Sequence, residues 1–183
     1  MYKKLNCLVC LSLLPNLFLI NVVNAQDSNL VGWWKFDETS GTIAYDSSGN
    51  GYSGTLQGNP QWVTGYKDGA LRLDPSDGDD YVELDIGELI PTLAECTFAF
   101  WVDYAGRTGP DDGLGWQRIF DFGTSTGNYI YLCPSTGVSN MAMRLALVAN
   151  NGRWDEFDAN IGPLPTGWHH VTVTVSDSTS SMI

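Results

Sequence analysis

The sequence predicts an all-β protein whose antiparallel sheets pack face to face, as a sandwich or jelly roll. Short apolar segments alternate with polar residues at period two, and glycine-rich turn sequences separate them. The chain contains 20 glycines and 8 prolines among 183 residues, and no helix-length amphipathic segment lies between the candidate strands. Strands spaced in this way, without helices between them, are typical of antiparallel sandwiches.

The predicted strands follow from this alternation. In residues 81–86 the apolar Val82, Leu84 and Ile86 alternate with Glu83 and Asp85, which predicts a half-buried strand. Residues 141–148 could be helical by propensity, but their alternation favours a strand. Residues 87–95 are the one stretch that suits a helical turn. The predicted strands cover residues 30–36, 81–86, 97–104, 118–122, 129–133, 141–148 and 168–175.

Composition limits the classes of function. Apolar residues make up 43% of the chain and charged residues only 16%, which is opposite to the signature of disorder. Acidic side chains number 21 against 9 basic ones, for a net charge of −12. Nine scattered basic residues cannot form the positive stripe that nucleic acid requires, so we expect no nucleic-acid partner.

The first 25 residues have the pattern of a secretory signal peptide. Lys3 and Lys4 precede an apolar run over residues 5–23, and Ala25 ends a plausible cleavage site. An uncleaved anchor is the alternative, but the asparagines and Pro15 within the run make a poor spanning helix. We therefore expect a secreted or extracellular protein, periplasmic or at the cell surface, with no membrane span after cleavage.

The last residues suggest an incomplete domain. Residues 176–180 read as a turn, and residues 181–183 begin what looks like a further strand. A sandwich that stops within a hairpin leaves an open edge, which natural sheets avoid. We expect one domain over residues 26–183 that lacks its C-terminal strands.

The motifs, taken in order, resemble the laminin-G-like jelly-roll domains of the concanavalin A-like lectin/glucanase superfamily. The resemblance runs from about Leu30 to Val175 and implies an adhesion or recognition module that binds an extracellular glycan or protein, or neighbouring domains of a larger protein. The matching segments are the WWKFDE sequence at 33–38, DSSGNG at 46–51, GTL at 54–56, WVTG at 62–65, GALRL at 69–73, DYVE at 80–83, FAFWV at 98–102 and WHHV at 168–171.

Calcium is the cofactor that this resemblance implies. Loops of related domains approach one another, which implies a site built from Asp46, Asn50 and one of Asp79 or Asp80. Calcium prefers several carboxylate and carbonyl oxygens, and these loops are the richest local sources of such oxygens. The alternative is that Asp46 only organises its own turn, as Asx residues do.

Aromatic residues near loops are the candidate ligand contacts. Flat rings stack on sugars, and four aromatic residues lie in or beside predicted loops: Trp116, Tyr129, Tyr131 and Trp154. Packing within the protein is an equal alternative for these residues. We expect Trp34, Trp101 and Trp168 in the sandwich core.

Hydrolysis of glycosides is the alternative activity. Glu156 and Asp158 match part of the E-x-D-x-E pattern of the glucanases, but Asn160 stands where the second glutamate belongs. A carboxamide cannot protonate a leaving group, and the neighbouring residues favour a loop over a strand. We therefore expect a non-catalytic module, with a glucanase-type hydrolase and a purely structural module as alternatives.

The cysteines and histidines receive simpler predictions. Cys96 and Cys133 follow the signal sequence, so they could form a disulfide in an oxidising compartment or remain two buried thiols. His169 and His170 lie within an alternating strand, so we expect one ring to face the core and the other to face solvent.

Overall fold

The computed structural model describes residues 29–74, 80–109, 112–124, 128–149, 153–158, 162–176 and 180–182. These residues form strands and one short 3₁₀ helix, Ile90–Thr92, which lies between β5 and β6. In chain order the strands are β1 (Ile43–Ala44), β2 (Gly54–Gln57), β3 (Gln61–Thr64), β4 (Gly69–Arg72), β5 (Tyr81–Glu83), β6 (Glu95–Tyr104), β7 (Phe120–Thr124), β8 (Asn128–Cys133), β9 (Arg144–Ala149), β10 (Arg153–Asp158), β11 (Gly167–Ser176) and β12 (Ser180–Met182).

The strands pair antiparallel in four sheets. The largest has the order β10-β9-β8-β7, and a second has the order β12-β11-β6. A three-stranded sheet, β1-β2-β5, and the hairpin β3-β4 complete the arrangement. The predicted all-β antiparallel architecture is confirmed.

The core lies between the two larger sheets. Leu132 and Leu145 of the four-stranded sheet form one buried cluster with Val171 and Val173 of β11. Phe98 of β6 adds to this cluster and stacks on Phe120 with ring centroids 4.6 Å apart. Because successive strand residues point to opposite faces, the other face of each sheet is turned away from this core.

Most predicted strands and the helical turn are present. Segments 81–86, 97–104, 118–122, 129–133, 141–148 and 168–175 correspond to β5, β6, β7, β8, β9 and β11. The 3₁₀ helix falls within residues 87–95, and β12 pairs with β11 where a further strand was expected.

Three predictions need correction. Residues 30–36 form no strand, only one bridge between Trp34 and Asp46, and Phe36 has a φ of 56° that ends extended backbone. The segment at 141–148 begins its strand only at Arg144, because Met141 also has a positive φ of 49°. The segment around Glu156 was expected to be a loop, but it forms β10, which pairs along its whole length with β9.

The predicted signal peptide, residues 1–25, lies outside the described residues. Within the part of the chain that the structure describes, no helix has the length and apolar character to cross a membrane.

Candidate ligand-binding face

The outer face of the four-stranded sheet gathers aromatic and charged side chains. Residues paired across neighbouring strands share a face, so the strand register defines this surface. One row runs from Asp121 through Tyr131 and Ala146 to Glu156. The flanking rows bring in Tyr129, Cys133, Arg144 and Asp158, while Trp116 and Arg118 reach the face from the segment before β7. We call these residues the outer face.

The floor of the outer face is buried. Cys133 and Ala146 are fully buried, and Tyr131 is nearly so. The Arg118 guanidinium carbon lies 3.7 Å from the centre of the Tyr131 ring, and Tyr129 stacks on Tyr131 with centroids 5.6 Å apart. Tyr131, a predicted ligand contact, therefore supports the face from below, and the half-buried Tyr129 is the more accessible of the two rings.

Arg144 fixes both carboxylates of β10. Its Nε and Nη2 donate to Asp158 at 2.6 and 3.1 Å, and its Nη1 donates to Glu156 Oε2 at 2.7 Å. Asn140 Nδ2 donates to the same Asp158 carboxylate at 3.0 Å. The hydrogen bond to Asp158 raises the pKa of Arg144, and the Arg144 guanidinium lowers the pKa of Asp158. Both groups of this bidentate pair are therefore charged at neutral pH.

Trp116 stands at the edge of this network. Its backbone has a φ of 69°, its N–H donates to the Ser135 carbonyl at 3.1 Å, and 39% of the residue is exposed. The Arg144 guanidinium carbon lies 5.7 Å from the centre of its ring. The indole packs over Gly137, where a Cβ atom would overlap Nε1, so only glycine at this position leaves room for the ring. The Trp116 ring is therefore exposed to solvent and held in place by its neighbours.

A buried ion pair holds the loop that carries Trp116. Arg107 Nη2 and Asp112 Oδ1 are 2.6 Å apart, and their side chains are 1% and 9% exposed. Arg107 also donates to the carbonyls of Gly109 and Thr136, at 2.7 and 2.5 Å. The guanidinium holds the pKa of Asp112 well below its usual range, and backbone N–H groups of residues 108, 109 and 114 donate to the same carboxylate. The pair therefore ties residues 107–109 and 112–116 to the turn after β8.

The predicted metal ligands organise turns. The Asp46 carboxylate accepts hydrogen bonds from the N–H groups of Trp33, Ser48 and Tyr52 at 2.8 to 3.0 Å, and from the Ser48 hydroxyl at 2.8 Å. Burial acts to raise the pKa of Asp46, but these hydrogen bonds outweigh it and lower the pKa to about 2. Asn50 Nδ2 donates to the carbonyls of residues 30 and 31, which fastens the same turn to the segment before Trp33.

The other predicted ligands do not complete a metal site in the described part of the chain. Asp80 accepts the N–H groups of Asn59 and Asp74 at 2.7 and 3.1 Å. Asp79 lies outside the described residues, and no three His, Cys, Asp or Glu side chains gather within them. Calcium binding at Asp46, Asn50, Asp79 and Asp80 stays a prediction.

The outcomes differ among the remaining residues that the sequence singled out. Trp101 was expected in the core but is 48% exposed, because it has the opposite parity to the core residues of β6 and stacks on Tyr66 at 3.9 Å. Cys96 and Cys133 are both free thiols, so the possible disulfide is not formed in the structure, and burial raises the pKa of each. The side chain of Trp154 and the whole of Asn160 lie outside what the structure describes.

The histidines follow their prediction in part. His170 is exposed and lies edge-on to the Trp101 ring, with centroids 5.2 Å apart. His169 pairs with Val102, a residue that packs against the core, and its ring nitrogen lies 3.3 Å from the Thr166 carbonyl.

The two packed antiparallel sheets make this protein a β-sandwich of the jelly-roll type. The chain belongs to the concanavalin A-like lectin/glucanase superfamily, because the Laminin_G_3 family model, which carries that description, matches residues 76–183. The resemblance seen in the sequence motifs is therefore confirmed, and a domain of this type fits a binding module.

One solved structure is similar over most of the chain. It is the 2.1 Å crystal structure of residues 221–444 of an S-layer domain-containing protein from Clostridium thermocellum ATCC 27405. The two chains are 28% identical with a TM-score of 0.54, and the alignment covers 83% of this chain and 67% of that one. The search among curated proteins found no match.

Proposed function

We propose that this protein is a secreted, non-catalytic carbohydrate-binding module that holds its ligand on the outer face. The observation that carries the proposal is that the outer face presents an exposed Trp116 ring beyond one end of β8 and a half-buried Tyr129 ring near the other end, with the fixed guanidinium groups of Arg118 and Arg144 on the surface between them. Flat rings stack on the apolar faces of sugars, and carboxylates and guanidinium groups bind hydroxyls. Pre-positioned side chains reduce the entropy lost on binding.

The similar structures support a role at the cell surface. The family description includes lectins, and the solved neighbour is residues 221–444 of an S-layer domain-containing protein. We infer that the module is extracellular or cell-surface and works beside neighbouring domains of a larger protein. The predicted signal peptide over residues 1–25 agrees with this location, and calcium bound at the Asp46 turn would stabilise the fold.

Hydrolysis is the second candidate, and one observation favours it. Glu156 and Asp158 occupy alternate positions on β10, which places both carboxylates on one face as a glucanase pair requires. However, a general acid needs a raised pKa, whereas Arg144 lowers the pKa of Asp158. If the protein were a hydrolase, it would release reducing sugar from a β-glucan panel, and Glu156→Ala would abolish that release.

Binding to a panel of polysaccharides tests the proposal. We expect Trp116→Ala and Tyr129→Ala each to weaken binding about tenfold or more, because each removes a stacking surface. Tyr45→Ala is the matched control, since Tyr45 is 62% exposed and lies beside β1, outside the outer face. Failure to bind any polysaccharide, or equal affinities for the wild type and all three variants, would refute the proposal.

A further inference from the structure

On the outer face, the acidic side chains are more exposed to solvent than the basic ones. The side chains of Glu156 and Asp121 are 39% and 49% exposed, whereas those of Arg144 and Arg118 are 15% and 32% exposed. The two arginines thus lie deeper than the acids that they bind. A ligand approaching this surface meets carboxylates before it meets guanidinium groups.

The arginines have already used much of their donor capacity. Nε, Nη1 and Nη2 of Arg144 each donate to a carboxylate of β10. Arg118 lies over the Tyr131 ring, donates through Nε to Asp121 at 3.3 Å, and donates through Nη1 to the Trp116 carbonyl at 2.7 Å. The main donors left for a sulfate or carboxylate group are the Nη2 hydrogens of Arg118, and such a group would reach them beside the exposed Asp121 carboxylate.

The acids keep acceptor capacity. Among the described residues, Glu156 accepts a hydrogen bond only through Oε2 and Asp121 only through Oδ2. Each carboxylate has a second oxygen that can take a donor from a ligand.

Tyr129 lies between these acids. Asp121 and Glu156 stand at the two ends of one row across four strands, about 14 Å apart at the strand spacing. Tyr129 occupies the neighbouring row between them. Burial raises the pKa of Tyr129, and the charges of Glu156 and Asp121 raise it further against the opposing effect of Arg118. Tyr129 thus lies one strand from Asp121 and two strands from Glu156 on the same face.

An aromatic ring flanked by carboxylates is a favourable site for an ammonium group. The ring face attracts the cation, and a carboxylate accepts its charge-assisted hydrogen bonds. The net charge of −12 acts in the same direction over longer range, because it attracts cationic polymers and repels polyanions.

We propose that the outer face selects glycans that carry protonated amino groups, with the ammonium seated at Tyr129 against Glu156 or Asp121. This inference rests on the proposed carbohydrate-binding function and adds the chemical class of the ligand. It excludes sulfated and uronic-acid polysaccharides as ligands of this face.

Two hexasaccharides of equal length and linkage provide the test: β-1,4-linked glucosamine and its fully N-acetylated counterpart. Titration calorimetry at about pH 5.5 keeps the amines protonated and the carboxylates ionised. We expect the glucosamine hexamer to bind about tenfold more tightly, and added salt to reduce this preference. Glu156→Gln and Asp121→Asn should each reduce the preference, and the double variant should remove most of it.

Controls separate charge from folding. Glu95→Gln removes the same charge from an exposed position on β6, in the other sheet, and should leave the preference unchanged. Asp121→Asn disturbs only an exposed ion pair, so it tests the inference even if Glu156→Gln fails to fold.

The outcomes distinguish this inference from the proposed function. Equal binding of both hexamers, weakened in both by Trp116→Ala, would refute amine selectivity and leave carbohydrate binding standing. Tighter binding of heparin than of the glucosamine hexamer would also refute it. If neither hexamer binds, the inference fails, and the polysaccharide panel then decides the proposed function.

Discussion

Replacing Asp46 by asparagine should lower the free energy of unfolding by about 2 kcal/mol at neutral pH. The carboxylate accepts four hydrogen bonds that close the turn after β1, and they lower its pKa from 3.8 to about 2. One pKa unit corresponds to about 1.4 kcal/mol, so the change in pKa from 3.8 to about 2 corresponds to about 2.5 kcal/mol, which solvent screening at this partly exposed site reduces to about 2 kcal/mol. Asparagine keeps the shape but turns an NH₂ group towards donors, which leaves at least one of them unsatisfied.

The lowered pKa of Asp46 also determines the direction in which the stability of the protein changes with pH. Because the pKa of Asp46 is lower in the folded protein than in the unfolded chain, its stabilisation is complete above the unfolded value of 3.8. It is lost as the pH falls from 3.8 towards about 2. The wild type should therefore lose more stability than Asp46→Asn over this interval.

Urea denaturation followed by tryptophan fluorescence at several pH values measures both effects. Asp85→Asn is the matched control, since Asp85 is exposed and its side chain accepts no hydrogen bond from a described residue. A cost below about 0.5 kcal/mol for Asp46→Asn at neutral pH, the range of ordinary surface substitutions, or parallel pH profiles for the two proteins, would refute the reasoning.

Thermal melts of the wild type and of an Asp46 variant test the calcium prediction. If calcium binds at Asp46, the melting temperature of the wild type rises with added calcium, and Asp46→Ala removes most of the rise. A wild-type melt that is identical in calcium and in chelator contradicts the prediction.

Three further substitutions probe other parts of the fold. Leu132→Ala in the fully buried core should cost about 3 kcal/mol in urea denaturation, whereas Val63→Ala at a 40% exposed position should cost less than about 1 kcal/mol; similar costs would contradict the assigned core. Arg107→Met should lower the urea midpoint more than Arg118→Met, because Arg107 is nearly fully buried; the reverse order would show that the pair does not hold its loop. Gly69→Ala should lower the melting temperature by several degrees, since its Cβ would overlap the backbone at residue 36; an unchanged melt would contradict that contact.

Alternation predicted the strands that have one buried face. In β6, Phe98, Phe100 and Val102 share one parity and pack against the core, as the sequence indicates. Trp101 has the other parity, so its exposure could have been predicted from the same pattern. Its assignment to the core followed residue type instead of position.

Long-range pairing explains what the sequence did not reveal. The composition of residues 155–160 favours a loop, yet β10 forms because β9 pairs with it and Arg144 compensates two of its carboxylates. Trp116 and Tyr129 could be named as candidates from residue type alone. That they share one face, with Arg144 near Trp116, depends on the register of neighbouring strands, which no single segment encodes.

The pairing of β6 with β11 has a consequence for synthesis. All ten residues of β6 pair with β11, and the partners are 63 to 81 positions apart, from Tyr104 with Gly167 to Glu95 with Ser176. Contacts of such separation form slowly, and β6 has no other strand partner in the described chain. At about 5–20 residues per second, the ribosome needs several seconds to reach β11 after completing β6. During that interval β11 has not yet been synthesised, so the aromatic residues of β6 remain exposed. A chaperone that shields extended apolar segments would act at this stage.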